Sequence, residues 1–369
     1  MLLIKTKPLI SNPSAARLLS TLSTTAATTS SHITDVGRVQ LSSKRRLDAW
    51  TQAQKTKLRA WYSPNVEKIT VQYMGKLSQP NVGPLQMTRG ISCPIDCAKH
   101  LSGLLVEQSV IALVNGQPWD MHRPLIQDCS VDFVHFKDAH NDPMLANLAF
   151  WRSASFFLAA ILESTFRPEH QVRLINNPDV RPEAGGFVCD VSFTPTTTIG
   201  NVDPWIPSPR ELRALSAYGQ RLAATGLSFE PLDADWALYD ACFADEPLRQ
   251  REVMRAVTGS NSASFSRDDH VRPPVCLYRL GNFVEACPVG PLISSSRLIG
   301  RFAVTSFRPL GWLGTSTSNN VIRPLVYRVQ GIALPTAFIT HFTTFERLMQ
   351  WSKLPNTDVS EKPDYVVEF

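Results

Sequence analysis

The stretch Asn147 to Leu162, NLAFWRSASFFLAAIL, constrains the fold more than any other part of the chain because it is almost entirely apolar or small. Its one charged residue is Arg152. No uninterrupted apolar run in the sequence reaches the ~18 residues needed to cross a bilayer, so we expect no membrane span. We predict instead a long apolar helix over about Leu145 to Phe166.

The composition is that of an ordinary globular chain. Its 369 residues suffice for about two or three domains, and 43% of them are hydrophobic and 19% charged. The formal net charge of +5 is modest, and alone it is weak evidence for a nucleic-acid partner. The charge matters only where it is concentrated.

Residues 1–33 differ in kind from the rest of the chain. The first acidic residue is Asp35, and Lys5, Lys7 and Arg17 precede it among many serines and threonines. A basic, hydroxyl-rich and acid-free start is typical of a mitochondrial transit peptide. A plain disordered tail is the alternative. We predict a leader over residues 1–33 and a location in the mitochondrial matrix.

Residues 34–66 form a basic segment, and a helix is predicted over about Lys44 to Trp61. Between residues 38 and 62 the only acid is Asp48. Cations that reach a phosphate backbone are sufficient for RNA contact, and Trp50, Trp61 and Tyr62 could stack on bases or dock on a protein. The alternative is a solvated basic helix. The RNA-contact candidates are Arg38, Lys44, Arg45, Arg46, Lys55, Lys57 and Arg59.

Cysteine and histidine spacing predicts neither a metal site nor a cofactor. The seven cysteines include no C-x-x-C pair, and no two of the eight histidines are four residues apart. Scattered thiols of this kind are typical of buried packing residues. No phosphate-binding glycine motif follows a predicted strand, so nucleotide binding has no motif to support it.

Residues 67–140 have the pattern of a small β-grasp domain. Glu67 to Met74 alternates as a strand does, and Pro94 suits the first position of a helix capped near Ser92 or Cys93. Asn115-Gly116 between apolar runs predicts a tight hairpin. A strand over Ser130 to Phe136 completes this sheet.

Residues 141–350 form a second unit, in which strands and helices do not alternate regularly, so the class is α+β. Strands are predicted over 172–175, 187–193 and 227–232. Ser208 to Glu211 is a capping box that opens a helix, and Asp233 is expected to cap the next one. Polar loops are expected at 258–270 and 314–320. A final helix is predicted over Pro335 to Trp351, followed by a C-terminal tail over 351–369.

Several motifs, in this order along residues 67–350, resemble the N-terminal region of threonyl-tRNA synthetases. Each is loose alone, but the ordered set is specific. This resemblance implies a TGS-like β-grasp domain followed by an editing-like α+β domain. The motifs are ALVNGQPWDMHRPL (112–125), the helix with Trp151, GGFVCDVSF (185–193), WALYDACFADEPLRQREV (236–253), LYRLGNFVEAC (277–287) and YRVQGIALP (327–335).

The resemblance also implies that the editing chemistry is gone. The synthetase helix carries W-H-S-S-A-H, with two histidines four residues apart, where this chain has Arg152 and Phe156. The synthetase motif C-R-G-P-H corresponds to Cys287 through Leu292, which has one extra residue and no histidine. Neither arginine nor phenylalanine is a general base or metal ligand at neutral pH, and a lone cysteine without a base is a poor catalyst. Arg152 either pairs internally, the favoured interpretation, or contacts a phosphate or a partner carboxylate.

The tripeptide WRS, the segment SVIALVNGQPWDMHRPL and the segment VQGIALPTAFITHFTTFERL resemble more closely the family of mitochondrial large-subunit ribosomal proteins numbered thirty-nine. The chain is also expected to be too short for a synthetase catalytic core. The implied function is a non-catalytic structural constituent of that subunit, with mitochondrial rRNA and other large-subunit proteins as partners. The alternatives are a freestanding tRNA deacylase and a non-ribosomal TGS-type RNA-binding regulator.

Overall fold

A computed structural model of the chain describes residues 29–61, 66–75, 83–138, 141–166, 172–193, 204–258, 275–314 and 324–367. Nearly all of the predicted leader and most of the two predicted polar loops lie outside the described residues. The first described element is helix α1, Thr29–Trp61, which begins fifteen residues before the predicted start at Lys44.

The predicted β-grasp domain is present, and its five-stranded sheet has the order β2-β1-β5-β3-β4. Strands β1 and β5 pair in parallel, and the other neighbours are antiparallel. The elements are β1 Lys68–Tyr73, β2 Leu85–Thr88, α2 Pro94–Leu101, α3 Gly103–Gln108, β3 Ile111–Val114, β4 Gln117–Trp119 and β5 Cys129–Val134.

Local turn and cap signals in this domain are confirmed. Asn115 and Gly116 both have positive φ, at 50° and 77°, as the tight hairpin turn requires. Pro94 is the first residue of α2, where Asp96 accepts a hydrogen bond of 3.0 Å from the Cys93 N–H. Strand β2 was not predicted. The helical pattern is also interrupted at extended Ser102, whose hydroxyl accepts from the Leu104 N–H and caps α3.

The second unit is built from two sheets and the helices packed on them. The larger sheet has the order β13-β11-β12-β7-β6, and the smaller has the order β10-β9-β8. The elements are α4 Pro143–Thr165, β6 Val172–Asn176, β7 Phe187–Phe193, α5 Pro209–Ala224, β8 Glu230–Ala234, α6 Trp236–Phe243, α7 Pro247–Thr258, β9 Val275–Leu280, β10 Phe283–Ala286, β11 Ile299–Leu313, β12 Leu325–Pro335, α8 Phe342–Trp351 and β13 Val366–Val367.

Helix α4 is the centre of this unit's core. Its 23 residues contain an 18-residue window with a mean hydropathy of 1.5, long and apolar enough to cross a membrane by composition alone. The helix predicted over about Leu145 to Phe166 is thus confirmed, but its capacity by length and composition to cross a membrane was not expected. However, 78% of that window is buried inside the protein, where α4 packs on β7 and β12. It is therefore a core helix enclosed by its own domain.

Three expectations for this unit were wrong or incomplete. Asp235, not Asp233, caps α6, by accepting from the Leu238 N–H at 2.8 Å. Pro335 ends strand β12, so the last helix begins only at Phe342. Residues 351–367, expected as a tail, pack on the large sheet, where the buried hydroxyl of Tyr365 donates to Asp190 at 2.6 Å.

The segment Trp119 to Arg123 joins the two units through a buried carboxylate and a more exposed ion pair. The Asp120 carboxylate accepts from the Tyr278 hydroxyl and from the Leu292 N–H, both at 2.9 Å. Arg123 forms an ion pair of 2.6 Å with Asp233. Burial raises the pKa of Asp120 above its usual value. These bonds fix the loop that carries Cys287 and Leu292 against the β-grasp domain.

Candidate functional site: a degenerate editing cleft and a basic helix

Arg152 and Cys287 line a small cleft at the position implied by the resemblance. Its volume is about 80 Å³, enough for a few water molecules. The walls come from Trp151, Arg152 and Ser155 of α4, from residues 176–180 at and after the end of β6, from α7, and from residues 286–289. This volume is far below what an aminoacyl nucleotide needs.

The Arg152 side chain is engaged within the protein. Its Nε lies 3.1 Å from both carboxylate oxygens of Asp179, and one terminal nitrogen donates to the Gly290 carbonyl at 3.3 Å. The side chain is 16% exposed. Arg152 therefore ties α4 to the two loops that border the cleft, in agreement with the internal interpretation.

Phe156 and Leu292, two of the three positions where histidines would stand, do not line the cleft. Phe156 is fully buried, with its ring centroid 5.1 Å from that of Phe283 and 6.2 Å from that of Tyr278. Leu292 is 1% exposed in the same core. Of the four former editing positions that the resemblance marks, only Arg152 and Cys287 line the cleft.

Cys287 has the environment of a protonated thiol. Burial raises its pKa to about 12, and the nearby Asp179 carboxylate adds to the effect. The thiol lies 3.3 Å from the carbonyl oxygen of Val289, to which it can donate. No histidine belongs to the described lining of the cleft. A thiol with so high a pKa is almost wholly protonated at neutral pH and is a poor nucleophile.

Alkylation of Cys287 should therefore be slow at pH 8 and accelerate about tenfold per pH unit through pH 10, since the rate follows the thiolate fraction. Iodoacetamide labelling of the native protein, quantified by peptide mass spectrometry, measures this profile. The Cys287→Ser variant lacks this thiol and so shows which labelled peptide comes from Cys287. A rate that levels off below pH 8 would instead reveal an activated thiol.

Among the predicted RNA contacts, Arg46 proves to be a core residue. Its side chain is 3% exposed, and it pairs with Glu163 at 2.7 Å and with Glu285 at 3.3 Å. Glu285 also pairs with the buried Arg249 at 3.0 Å. Arg46 is thus unavailable to phosphate, contrary to the prediction. The alternative of a fully solvated basic helix is equally wrong, because this face of α1 is buried on the second unit.

Two further cations of α1 donate hydrogen bonds to other parts of the protein, although Lys57 is itself exposed, and one tryptophan of α1 is buried. Arg45 donates to Asp245 and to the Cys242 carbonyl, and Lys57 donates to the Asp233 carbonyl. Trp50 is fully buried, so it cannot stack on an exposed base. Ion pairs and hydrogen bonds thus add to the apolar contacts that attach α1 to the second unit.

Lys44, Lys55 and Arg59 remain on the exposed face of α1. At 3.6 residues per turn they lie within about 60° of one another around the helix axis, opposite Arg46 and Trp50. The side chain of Arg38 lies outside the described residues, as does Tyr62. Trp61 is partly buried beneath the Arg89 guanidinium, 5.4 Å from the ring centroid.

Sequence reasoning missed the acidic partners of Arg46. A signal was present, because Glu163 and Glu285 each interrupt a strongly apolar run, ILEST and NFVEAC. A carboxylate in such a run needs a cationic partner when buried. Which cation supplies it depends on the tertiary fold, since Arg46 and Glu285 are 239 residues apart.

Comparisons with known proteins agree with this geometry. The TGS domain family matches residues 75–135, inside the range predicted for the β-grasp domain. Human mitochondrial threonine–tRNA ligase is 25% identical over 261 residues, which cover 71% of this chain and 31% of the enzyme. The Thermotoga maritima ligase is 22% identical over 258 residues, or 34% of its length. The chain thus spans about a third of these enzymes.

A more similar relative matches over nearly the whole chain. Large ribosomal subunit protein mL39 of Drosophila melanogaster is 32% identical over 313 residues, which cover 85% of this chain and 84% of that protein. The ligases match this chain over about a third of their length, whereas the ribosomal protein matches it over most of its own length. The chain therefore belongs to the mL39 family of large ribosomal subunit proteins.

Proposed function

We propose that this chain is a structural constituent of the mitochondrial large ribosomal subunit, in the mitochondrial matrix, where it contacts rRNA and neighbouring proteins and catalyses no reaction. The observation that carries the proposal is the match to mL39 along 85% of the chain. The acid-free composition of residues 1–33 supports the compartment. Its work is binding, in which buried surface supplies affinity and cations supply orientation.

The state of the former editing site supports a role without catalysis. General acid–base chemistry needs a group that exchanges protons near the working pH within reach of the substrate. At the four corresponding positions stand a paired arginine, a protonated thiol and two core hydrophobic residues. A freestanding deacylase would need proton-transfer groups that these positions lack.

Sedimentation of the tagged full-length chain from mitochondrial lysate tests the proposal. We expect the protein in the large-subunit peak of a sucrose gradient, retained after a moderate salt wash. A position in the light fractions would overturn the ribosomal role and favour the soluble RNA-binding regulator. Hydrolysis of mischarged tRNA by the purified protein, assayed in parallel, would favour the deacylase.

The exposed cations of α1 are the proposed rRNA contact of this function. Lys44, Lys55 and Arg59 share one face, and Lys55 and Arg59 are like charges four residues apart, an arrangement that costs a free helix stability. A bound phosphate backbone would offset that repulsion. Arg38 lies on an earlier turn of the same helix, and we include it in the proposed rRNA contact.

Reversing Lys44, Lys55 and Arg59 to glutamate should weaken incorporation into the large subunit by about tenfold or more, because three phosphate contacts would be replaced by repulsion. The fraction in the large-subunit peak at rising salt measures the loss. The matched control reverses three exposed arginines of α5, Arg210, Arg213 and Arg221, with the same change in net charge. Equal effects of the two triple variants would contradict a specific contact on α1.

A further inference from the structure

A short turn before α8 presents three large apolar side chains to solvent. Phe338 is 42% exposed, Ile339 101% and Phe342 60%, and together we call them the apolar turn. A fully exposed isoleucine between two half-exposed phenylalanines, all within five residues, is more apolar surface than a solvated loop needs. It therefore requires an explanation beyond the fold.

The apolar turn is a preformed element. The Thr336 N–H donates to the Leu298 carbonyl at 2.9 Å, and the Phe338 N–H donates to the Pro335 carbonyl at 3.1 Å. On its other side the turn runs into α8, which His341 caps. The ring of Phe338 also contacts the core residue Phe136, with centroids 6.0 Å apart. A held turn loses little conformational entropy when it binds, which favours its use as an anchor.

The charge around the apolar turn distinguishes between classes of partner. From residue 329 to residue 345 the sequence contains no aspartate, glutamate, lysine or arginine. RNA binding needs cations against the phosphate backbone, and α1 offers three exposed ones, whereas Arg301, near the start of α8, is stacked over the ring of Phe345 at 5.3 Å. Aromatic and aliphatic side chains without charges are instead typical of the centre of a protein–protein interface.

The exposed area distinguishes between a second copy of the chain and a neighbour in a larger assembly. The three side chains leave roughly 400 Å² exposed, given about 150–250 Å² for a whole aromatic side chain. A stable pair of copies needs about 800 Å² on each partner. The turn is thus too small to hold two copies together alone, but it suits one anchor among several contacts in an assembly.

We propose that the apolar turn is an anchor that inserts into an uncharged apolar pocket on a neighbouring protein of the large ribosomal subunit. The inference rests on the ribosomal function proposed above. The turn lies in the segment 329–348, through which the chain resembles the ribosomal family more closely than it resembles the synthetases. Ile339, which is fully exposed, occupies the tip, and the two phenylalanines flank it.

Photo-crosslinking at the tip tests the partner directly. The full-length chain carries benzoylphenylalanine at position 339, or at the exposed Ile206 as the matched control, and purified large subunits are irradiated. We expect a crosslink from position 339 to one identified subunit protein that survives ribonuclease, and none to that protein from position 206. Crosslinks to RNA, to a second copy of the chain or to nothing, in subunits that contain the chain, would overturn the anchor and leave the ribosomal function standing.

Charge insertion gives a second, quantitative test. Ile339→Asp should reduce incorporation of the chain into the large subunit by about tenfold at limiting concentration, because a carboxylate would have to enter an apolar pocket. Ile206→Asp should leave incorporation unchanged. Since Ile339 is fully exposed, the unfolding midpoint of the Ile339→Asp variant should match that of the unsubstituted chain. Equal incorporation of both variants would refute the anchor, and a wild-type chain that never enters the subunit would refute the ribosomal function itself.

Discussion

Replacing Glu285 with glutamine should lower the free energy of unfolding by about 3–5 kcal/mol, the range for removing one partner of a buried ion pair. Glu285 is fully buried between two guanidinium groups, with Arg249 at 3.0 Å and Arg46 at 3.3 Å. Glutamine keeps the volume and one oxygen but removes the charge. Two buried cations would then share the remaining carboxylates, and α1 would lose part of its attachment.

Urea unfolding of the full-length chain at pH 7, followed by far-ultraviolet circular dichroism, measures this loss. The matched control is Glu230→Gln, which breaks a pair with Arg279 of 2.5 Å whose side chains are about 30% exposed. That variant should lose no more than about 1 kcal/mol, because solvent screens its partner. Similar losses in the two variants would show that the buried cluster contributes no more than a surface pair does.

Several turns and caps of the fold were predictable because their signal is contiguous in sequence, whereas strands β2 and β9 to β13 were not predicted. Asn115 and Gly116 both adopt the positive φ that their hairpin turn requires. At the start of α5, Ser208 forms a capping box with Glu211, three residues later in the sequence. The prediction of the α6 cap failed because two nearby aspartates were both suitable. Asp233 and Asp235 both suit a cap, and the pairing of Asp233 with Cys276 in the β8–β9 ladder decided between them.

The candidate site was predictable only in part, because a resemblance transfers residue identities and not their surroundings. Spacing places Arg152 and Phe156 on one face of α4, one turn apart. Burial then separates them: Arg152 crosses the cleft to Asp179, whereas Phe156 lies in an aromatic cluster. In the same way, seven cations in α1 look equivalent in sequence, and only the tertiary fold distinguishes buried Arg46 from exposed Lys44.

Placing histidine at both old editing positions, Arg152→His with Phe156→His, should destabilise the chain by about 3–4 kcal/mol and create no hydrolase. Most of the loss arises at Phe156, which is fully buried against the rings of Phe229, Tyr278 and Phe283. Imidazole would leave a void there and bury two polar nitrogens. Arg152→His contributes less, because Asp179 is 39% exposed and stays solvated.

The pH dependence of the free energy of unfolding shows whether the buried imidazole causes the loss of stability. Burial would hold the pKa of the new imidazole in Phe156→His below its unfolded value of about 6.5. The unfolded state then binds the extra proton, so the stability difference from wild type should grow as pH falls from 8 to 5. Urea midpoints across that range measure it, and Phe156→Leu, at about 1–2 kcal/mol, should show no such slope. A stable double variant that hydrolyses an aminoacyl ester would mean that the old site is intact and lacks only its two bases.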